Sequence, residues 1–314
     1  MMSSILSQLF QTLLVVLLAP LLLGWVNQCR AWLQNRSGAG VLQPYRVLHK
    51  LFAKDAVLAD NASSLFRTAP YVQFACMALV ASIVPTVATD LPFAKAADVI
   101  ALVGLFALAR LFAALAAMDI GTAFGSMGAR REMLVAGLAE PALLMIFFTP
   151  ALIVQSTSLT TIVELLAHRE FVLHASLAFA AVAFVMVALA ENARIPIDNP
   201  STHLELTMIH EAMVLEYSAR HLALIEWTRA IKLMNYSAIG IALFVPWGVA
   251  SVGEWSAVPV ALAVLLLKLV VGGAGLALLE TLSAKMRIFR APEYLGTAFL
   301  LAVLGMLTRL LLER

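Results

Sequence analysis

Residues Glu191–His221 read ENARIPIDNPSTHLELTMIHEAMVLEYSARH. This one stretch carries Glu191, Asp198, Glu205, Glu211 and Glu216 together with His203, His210 and His221. The chain on either side is oily. Residues 171–190 and 233–252 hold no Asp, Glu, Lys or Arg, and each is about the 20 residues that a helix needs to cross a bilayer. Acids and imidazoles are therefore concentrated in a connection between two membrane-length helices.

The same alternation runs through the whole chain. Eight segments reach spanning length, 5–26, 69–89, 97–118, 133–154, 171–190, 233–252, 257–279 and 293–312. Their length and the absence of period-2 alternation predict helices rather than barrel strands. The fold class expected is an all-α integral membrane protein, a single domain over 1–314 with eight transmembrane helices and two long cytoplasmic connections, the second partly helical. Composition agrees: 62% of the 314 residues are hydrophobic and 13% charged, against about 25% charged in a soluble domain. The apolar run 5–26 is too long for a signal-peptide core and reads as a retained first helix.

Basic residues give an orientation. The connections after the first, third, fifth and seventh segments hold six, two, four and three Lys or Arg, and the opposite face only Lys95, Arg169, Arg309 and Arg314. Positive residues favour the cytoplasmic side. Connections 27–68 and 191–232 are thus expected in the cytoplasm as a docking platform, and both termini outside it. A net charge of +2 without basic–aromatic interleaving argues against nucleic-acid binding. Cys29 and Cys76 are the two cysteines, too few for an iron–sulfur cluster, which takes four thiolates. Electron transfer, if any, belongs to another polypeptide.

Three charges fall well inside the segments: Arg110, Glu140 and Lys268. A charge at the bilayer centre costs roughly 2.5–3.5 kcal/mol on insertion scales, so such residues face protein or water. For Arg110 and Lys268 both a functional role and a structural ion pair or snorkelling side chain are open. Glu140 precedes Pro141, which frees a backbone carbonyl and lets the helix bend and admit water; a carboxylate there is a candidate proton carrier. In the opening stretch, Asn199-Pro200 is a helix-start signal. A helix from about Pro200 to Tyr217 sets Glu205 and Glu216 nearly in line, about 20° apart at 100° per residue. Apolar residues between the charges predict a half-buried helix, where desolvation raises carboxylate pKa values. A proton-active cluster and a charged face that meets a partner subunit both fit this pattern. His203, His210 and Glu211 are metal-ligand types, but their spacing matches no common zinc site. GGAG at 272–275 follows no strand and reads as small residues for close helix packing. The chain lacks the internal repeats and paired broken helices common in secondary transporters.

The motifs also resemble a known family. Glu191, Arg194, Pro196 and Asp198, then Glu205, then Glu216-Tyr217-Ser218, resemble the signature loop of subunit 1 of respiratory complex I. They resemble even more the matching membrane subunit of energy-converting hydrogenases, of the formate hydrogenlyase subunit 4 and hydrogenase-4 type. NRSGAGVLQPYRVLHKLFAK (35–54), ALARLFAALAAMDIGTAFGSMGARREM (107–133), LAEPALL (138–144) and Glu280 carry the likeness along nearly the whole chain. The resemblance implies a membrane anchor and proton-path subunit of a membrane-bound [NiFe]-hydrogenase-type oxidoreductase complex in a prokaryotic inner membrane. Its partners would be hydrogenase-like large and small subunits on the cytoplasmic side and antiporter-like membrane subunits. It implies a polar channel of Glu140, Glu191, Asp198, Glu205 and Glu216, with Arg194 holding the loop through paired carboxylates. Asp119, Arg130, Arg131, Glu132, His203, His210, Glu211 and Glu280 are second in rank. The chain itself would bind no cofactor and carry no redox centre; iron–sulfur clusters, and a nickel–iron centre where there is one, would lie in partners. Where complex I places acids near its quinone chamber, this chain has Ser201 and His203, which points away from quinone and toward the hydrogenase branch. A purely structural anchor and a complex I-like quinone-site subunit are the alternative readings.

Overall fold

The structure is a computed structural model and describes residues 2–87, 98–168, 175–198, 208–249, 258–284 and 286–312. Those residues are mostly helical, with no β-strand among them. In chain order the helices are α1 (Met2–Leu33), α2 (Gln43–Phe52), α3 (Ser64–Ile83), α4 (Val99–Asp119), α5 (Ala123–Val154) and α6 (Leu159–His168). They continue with α7 (Ala175–Glu191), α8 (His210–Val214), α9 (Ala219–Phe244), α10 (Val258–Leu282) and α11 (Ala291–Leu311).

Each predicted segment lies on a helix, but the boundaries move for local reasons. α3 stops at Ile83 and α9 at Phe244, short of the expected 89 and 252. In both, the next residue precedes a proline, Val84 before Pro85 and Val245 before Pro246. A residue before proline is pushed out of the helical region, and Val84 has φ −70° and ψ 120°. Conversely, α5 starts ten residues earlier than 133, capped by the Thr122 hydroxyl accepting from the Gly125 amide at 3.2 Å. α9 starts at Ala219, so it absorbs the second half of the expected connection 191–232. Five helices are long and apolar enough to cross a membrane: α1 from Ser7, α4, α5, α10, and α11 with its leading 3₁₀ turn. α7 is as apolar over its 17 residues. α3 and α9 carry polar groups inward instead, among them Asn235, which donates to the Met77 carbonyl at 2.9 Å.

Connections gather by end. At one end, Asn61 donates to the Ile120 carbonyl (2.7 Å) and the Ser63 amide to Asp119 (3.0 Å). The Val57 amide donates to the Ser218 hydroxyl (3.0 Å) and the Met286 amide to the Pro196 carbonyl (3.0 Å). At the other, Gln11 donates to the Val84 carbonyl (2.8 Å), and Asp98 pairs with Ser158. Between the ends, fully buried alanines let α5, α7 and α11 approach closely: Ala139, Ala142, Ala180, Ala183, Ala298 and Ala302. In the GGAG run, Gly273 packs against Trp25 and Leu22 of α1, whereas Gly272 and Gly275 face open space.

Candidate functional site

Arg110, in the second half of α4, is 6% exposed and meets three carboxylates. Its Nη2 donates to Glu191 Oε2 at 2.6 Å and its Nη1 to Glu140 Oε1 at 2.9 Å. Its Nε lies 3.5 Å from Glu132 Oε1. Lys232 of α9 adds a second cation, 3.0 Å from Glu191 Oε2. Four helices thus contribute one charge or more each: α4 Arg110, α5 Glu132 and Glu140, α7 Glu191, α9 Lys232. Arg110 and Lys232 supply two positive charges against three carboxylates, so a further proton or cation is needed for neutrality. A guanidinium stays protonated in proteins; a proton passing this cluster must travel along the carboxylates around it.

Glu132 and Glu140 lie two turns apart on α5, about 12 Å along the axis. Glu132 and Glu191 are buried, and the Glu140 side chain is 34% exposed. α5 runs through Pro141 and Pro150 without interruption.

A cavity of about 330 Å³ opens beside the cluster. Arg110, Glu132, Glu191, Asp198, His210 and Glu280 line it, and Glu140 does not. Its volume far exceeds the ~10–15 Å³ that one water needs. Buried polar atoms of its wall, Asn192 Oδ1, Glu132 Oε2 and His210 Nδ1, have no hydrogen-bond partner among the described residues; ordered water commonly serves such atoms. Arg110 thus joins a cavity with charged groups in its wall to a carboxylate outside it, Glu140.

The 192–198 segment is held by its own backbone and by Glu280. After α7 the Arg194 amide donates to the Leu189 carbonyl (2.9 Å) and the Ala193 amide to that of Ala190 (3.2 Å), a Schellman closure. Ala193 takes the left-handed position with φ 52°, where glycine is usual. Arg194 then pairs with Glu280 at 2.9 Å, and Arg30 meets the same carboxylate at 3.4 Å. Among the described residues, Arg194 meets one carboxylate where a pair was expected. Beyond the segment, α8 packs on α5 at Gly128. A Cβ there would come within 2.8 Å of the Ile209 carbonyl and 3.0 Å of Ala212. One turn on from Gly128 is Glu132, and His210 Nε2 lies 3.4 Å from its Oε2. Arg131 fastens the approach by donating to the Met208 carbonyl at 2.9 Å.

The remaining candidates separate. Among residues 208–217 only His210–Val214 is helical, so the expected helix to Tyr217 ends early and Glu216 is exposed in a turn. Glu205 and His203 lie outside the described residues. Glu211 pairs with Arg229 at 3.1 Å, which Glu226 shares at 2.8 Å. Asp119 accepts from the Ser63 amide, and Arg130 is exposed. Lys268 lies away from the cluster. It donates to the Val245 carbonyl at 2.7 Å and to that of Trp247, over whose ring it sits. It therefore caps the end of α9, about 20 Å along that helix from Lys232. Tyr217 stacks on Phe66 with centroids 3.9 Å apart and donates to the Phe66 carbonyl. Burial, and then Asp119, push its phenol up, which keeps that donor. No group of three or more metal-ligating side chains occurs among the described residues.

Sequence reasoning missed Lys232, because hydropathy placed it in a connection. Its signal was helical phase: Ile225, Thr228 and Lys232 recur at i, i+3 and i+7, and all three line the cavity.

Comparison with known proteins covers nearly the full chain. Residues 7–310 match the family model described as NADH dehydrogenase. Formate hydrogenlyase subunit 4 of Escherichia coli (strain K12) is 32% identical over 307 residues, 98% of this chain and 99% of that protein. Hydrogenase-4 component C of the same organism is 33% identical over 298 residues, 95% and 93% of the two chains. A chain from the membrane-bound sulfane sulfur reductase, an archaeal respiratory membrane complex, superposes with a TM-score of 0.83 at 19% identity. The superposition covers 96% of this chain and 99% of that one, and speaks to the fold.

Proposed function

Because the chain belongs to the NADH dehydrogenase family, that of complex I subunit 1, we propose that it is the anchor and proton-path subunit of an energy-converting, hydrogenase-type membrane complex. Eight spans, α1, α3, α4, α5, α7, α9, α10 and α11, alternate in direction. Connections 34–63, 120–122, 192–218 and 283–290 face the cytoplasm, where a redox arm of hydrogenase-like subunits docks. Antiporter-like subunits lie beside it in the membrane. The clusters and any nickel–iron centre belong to those partners.

The single observation that carries the reading is the buried Arg110 with Glu132, Glu140 and Glu191 at 3.5, 2.9 and 2.6 Å. Three carboxylates around one fixed cation hold more sites than charges to fill them. A proton arriving at one loosens its pairing and tightens the others. Redox events in the docked arm would move residues 208–218, which touch the cluster where His210 meets Glu132, and so bias which carboxylate is protonated. Coupling of this kind requires two discrete states. Glu140, on the membrane side of Arg110, passes the proton toward the ion-translocating subunits.

The test is Glu140→Gln in the whole complex, sealed in vesicles. Redox turnover with uncoupler should persist while proton translocation falls at least about tenfold. Unchanged translocation rejects the proton path. A purely structural anchor predicts instead that assembly weakens with no separate translocation defect.

A further inference from the structure

We infer that His210 is the proton relay between the connecting segment and the Arg110 cluster, an inference that rests on the proton-path reading and deepens it. The imidazole stands between two acids. Its Nε2 is 3.4 Å from Glu132 Oε2, and its Nδ1 is 3.5 Å from Asp198 Oδ2. Its own backbone amide donates to the same Asp198 oxygen at 3.2 Å, so ring and main chain are both registered on Asp198. Glu132 in turn divides its carboxylate, Oε1 toward Arg110 and Oε2 toward His210. The result is a line of titratable atoms, Asp198, His210, Glu132, that ends on the guanidinium holding Glu191 and Glu140.

Three features fit a carrier better than a structural ion pair. First, neither Glu132 Oε2 nor His210 Nδ1 has a hydrogen-bond partner among the described residues although both are buried. Contacts of 3.4–3.5 Å are at the edge of hydrogen bonding, and both residues face the cavity; a small movement or one water closes either gap. Second, Arg110 and Lys232 face three carboxylates, and His210 stands next to Glu132, one of the three. An imidazole has two ring nitrogens, so it can accept a proton on one and release one from the other. Third, α8 is only five residues long and is seated on Gly128, so a shift of α8 is transmitted to the ring. The groups facing His210 are Glu132 from α5, Asp198 from the connection and, at longer range, Glu191 from α7. Arg131 is engaged by the Met208 carbonyl and Glu211 by Arg229.

The step is a proton transfer with no change of oxidation state. Nδ1 accepts a proton from the Asp198 side, forming imidazolium, and Nε2 releases one to Glu132 Oε2. The neutral ring is left in the other tautomer, which ring rotation or exchange with cavity water resets.

The experiment uses the intact complex in sealed vesicles with reduced methyl viologen as electron donor. His210→Gln keeps a polar side chain and removes the titration. Turnover with uncoupler should stay within about twofold of wild type while proton translocation falls at least about tenfold; imidazole added to His210→Gly should restore part of it. Wild-type translocation and pH profile in His210→Gln would overturn the relay. If Glu140→Gln still blocks translocation, the proton-path reading survives that result; if it does not, both fall. Should the variants not assemble, redox-triggered infrared difference spectra of the ¹⁵N-histidine-labelled wild-type complex decide. Imidazole protonation bands that change on reduction support the relay, and their absence overturns it.

Discussion

Arg110 and Lys268 are both cations inside membrane-length helices, and the fold treats them differently. Arg110 meets three carboxylates beside a cavity that other charged side chains also line. Lys268 meets two backbone carbonyls at the end of α9. Carbonyls do not titrate, so the Lys268 end holds no second titratable group to pass a proton to. Carboxylates do, so the Arg110 end has several protonation states of similar charge balance. An intramembrane charge is therefore not functional by location alone; the chemistry of its partners decides.

The largest effect that separates the two ends is expected from Arg110→Met. It leaves three carboxylates around an uncharged side chain, and removing one partner of a buried pair costs about 3–5 kcal/mol. The complex should lose this subunit on purification or melt well below wild type in thermal unfolding. A wild-type melting curve would show that the cluster is not held by the guanidinium. Lys268→Met strands two carbonyls at a partly exposed helix end and should cost about 1–2 kcal/mol. Because no titratable partner is lost, proton translocation per assembled complex should stay at wild-type level; a selective translocation defect would erase the distinction between the ends. The smallest effect is at Ala193. Glycine removes the left-handed penalty, about 1 kcal/mol at most after its own entropic cost. Ala193→Gly should raise the unfolding midpoint slightly, and a drop would mean that the methyl group packs.

Much of this was legible from the chain itself. Apolar run lengths located every long helix, and Pro85 and Pro246 account for where two of them stop early. Hydropathy failed where polar residues continue a helix into the protein. Arg131 and Glu132 looked like a connection yet lie on α5, where Arg131 donates to the Met208 carbonyl and Glu132 faces His210 and Arg110. Lys232 disappeared from view in the same way. Arg110, Glu140, Glu191 and Asp198 could each be picked out as intramembrane or loop charges. That three of these, with Glu132, form one cluster is long-range information, since Arg110 and Glu191 are 81 residues apart in the chain. The expected alignment of Glu205 with Glu216 required a continuous helix, and the chain turns after Val214.

The most direct measurement compares the two ends in one experiment. Proton translocation and uncoupled redox turnover would be recorded side by side in vesicles bearing Glu132→Gln and Lys268→Met complexes. If protons pass the Arg110 cluster, Glu132→Gln turns over but does not translocate, and Lys268→Met does both. Translocation that survives Glu132→Gln at the wild-type rate would contradict it.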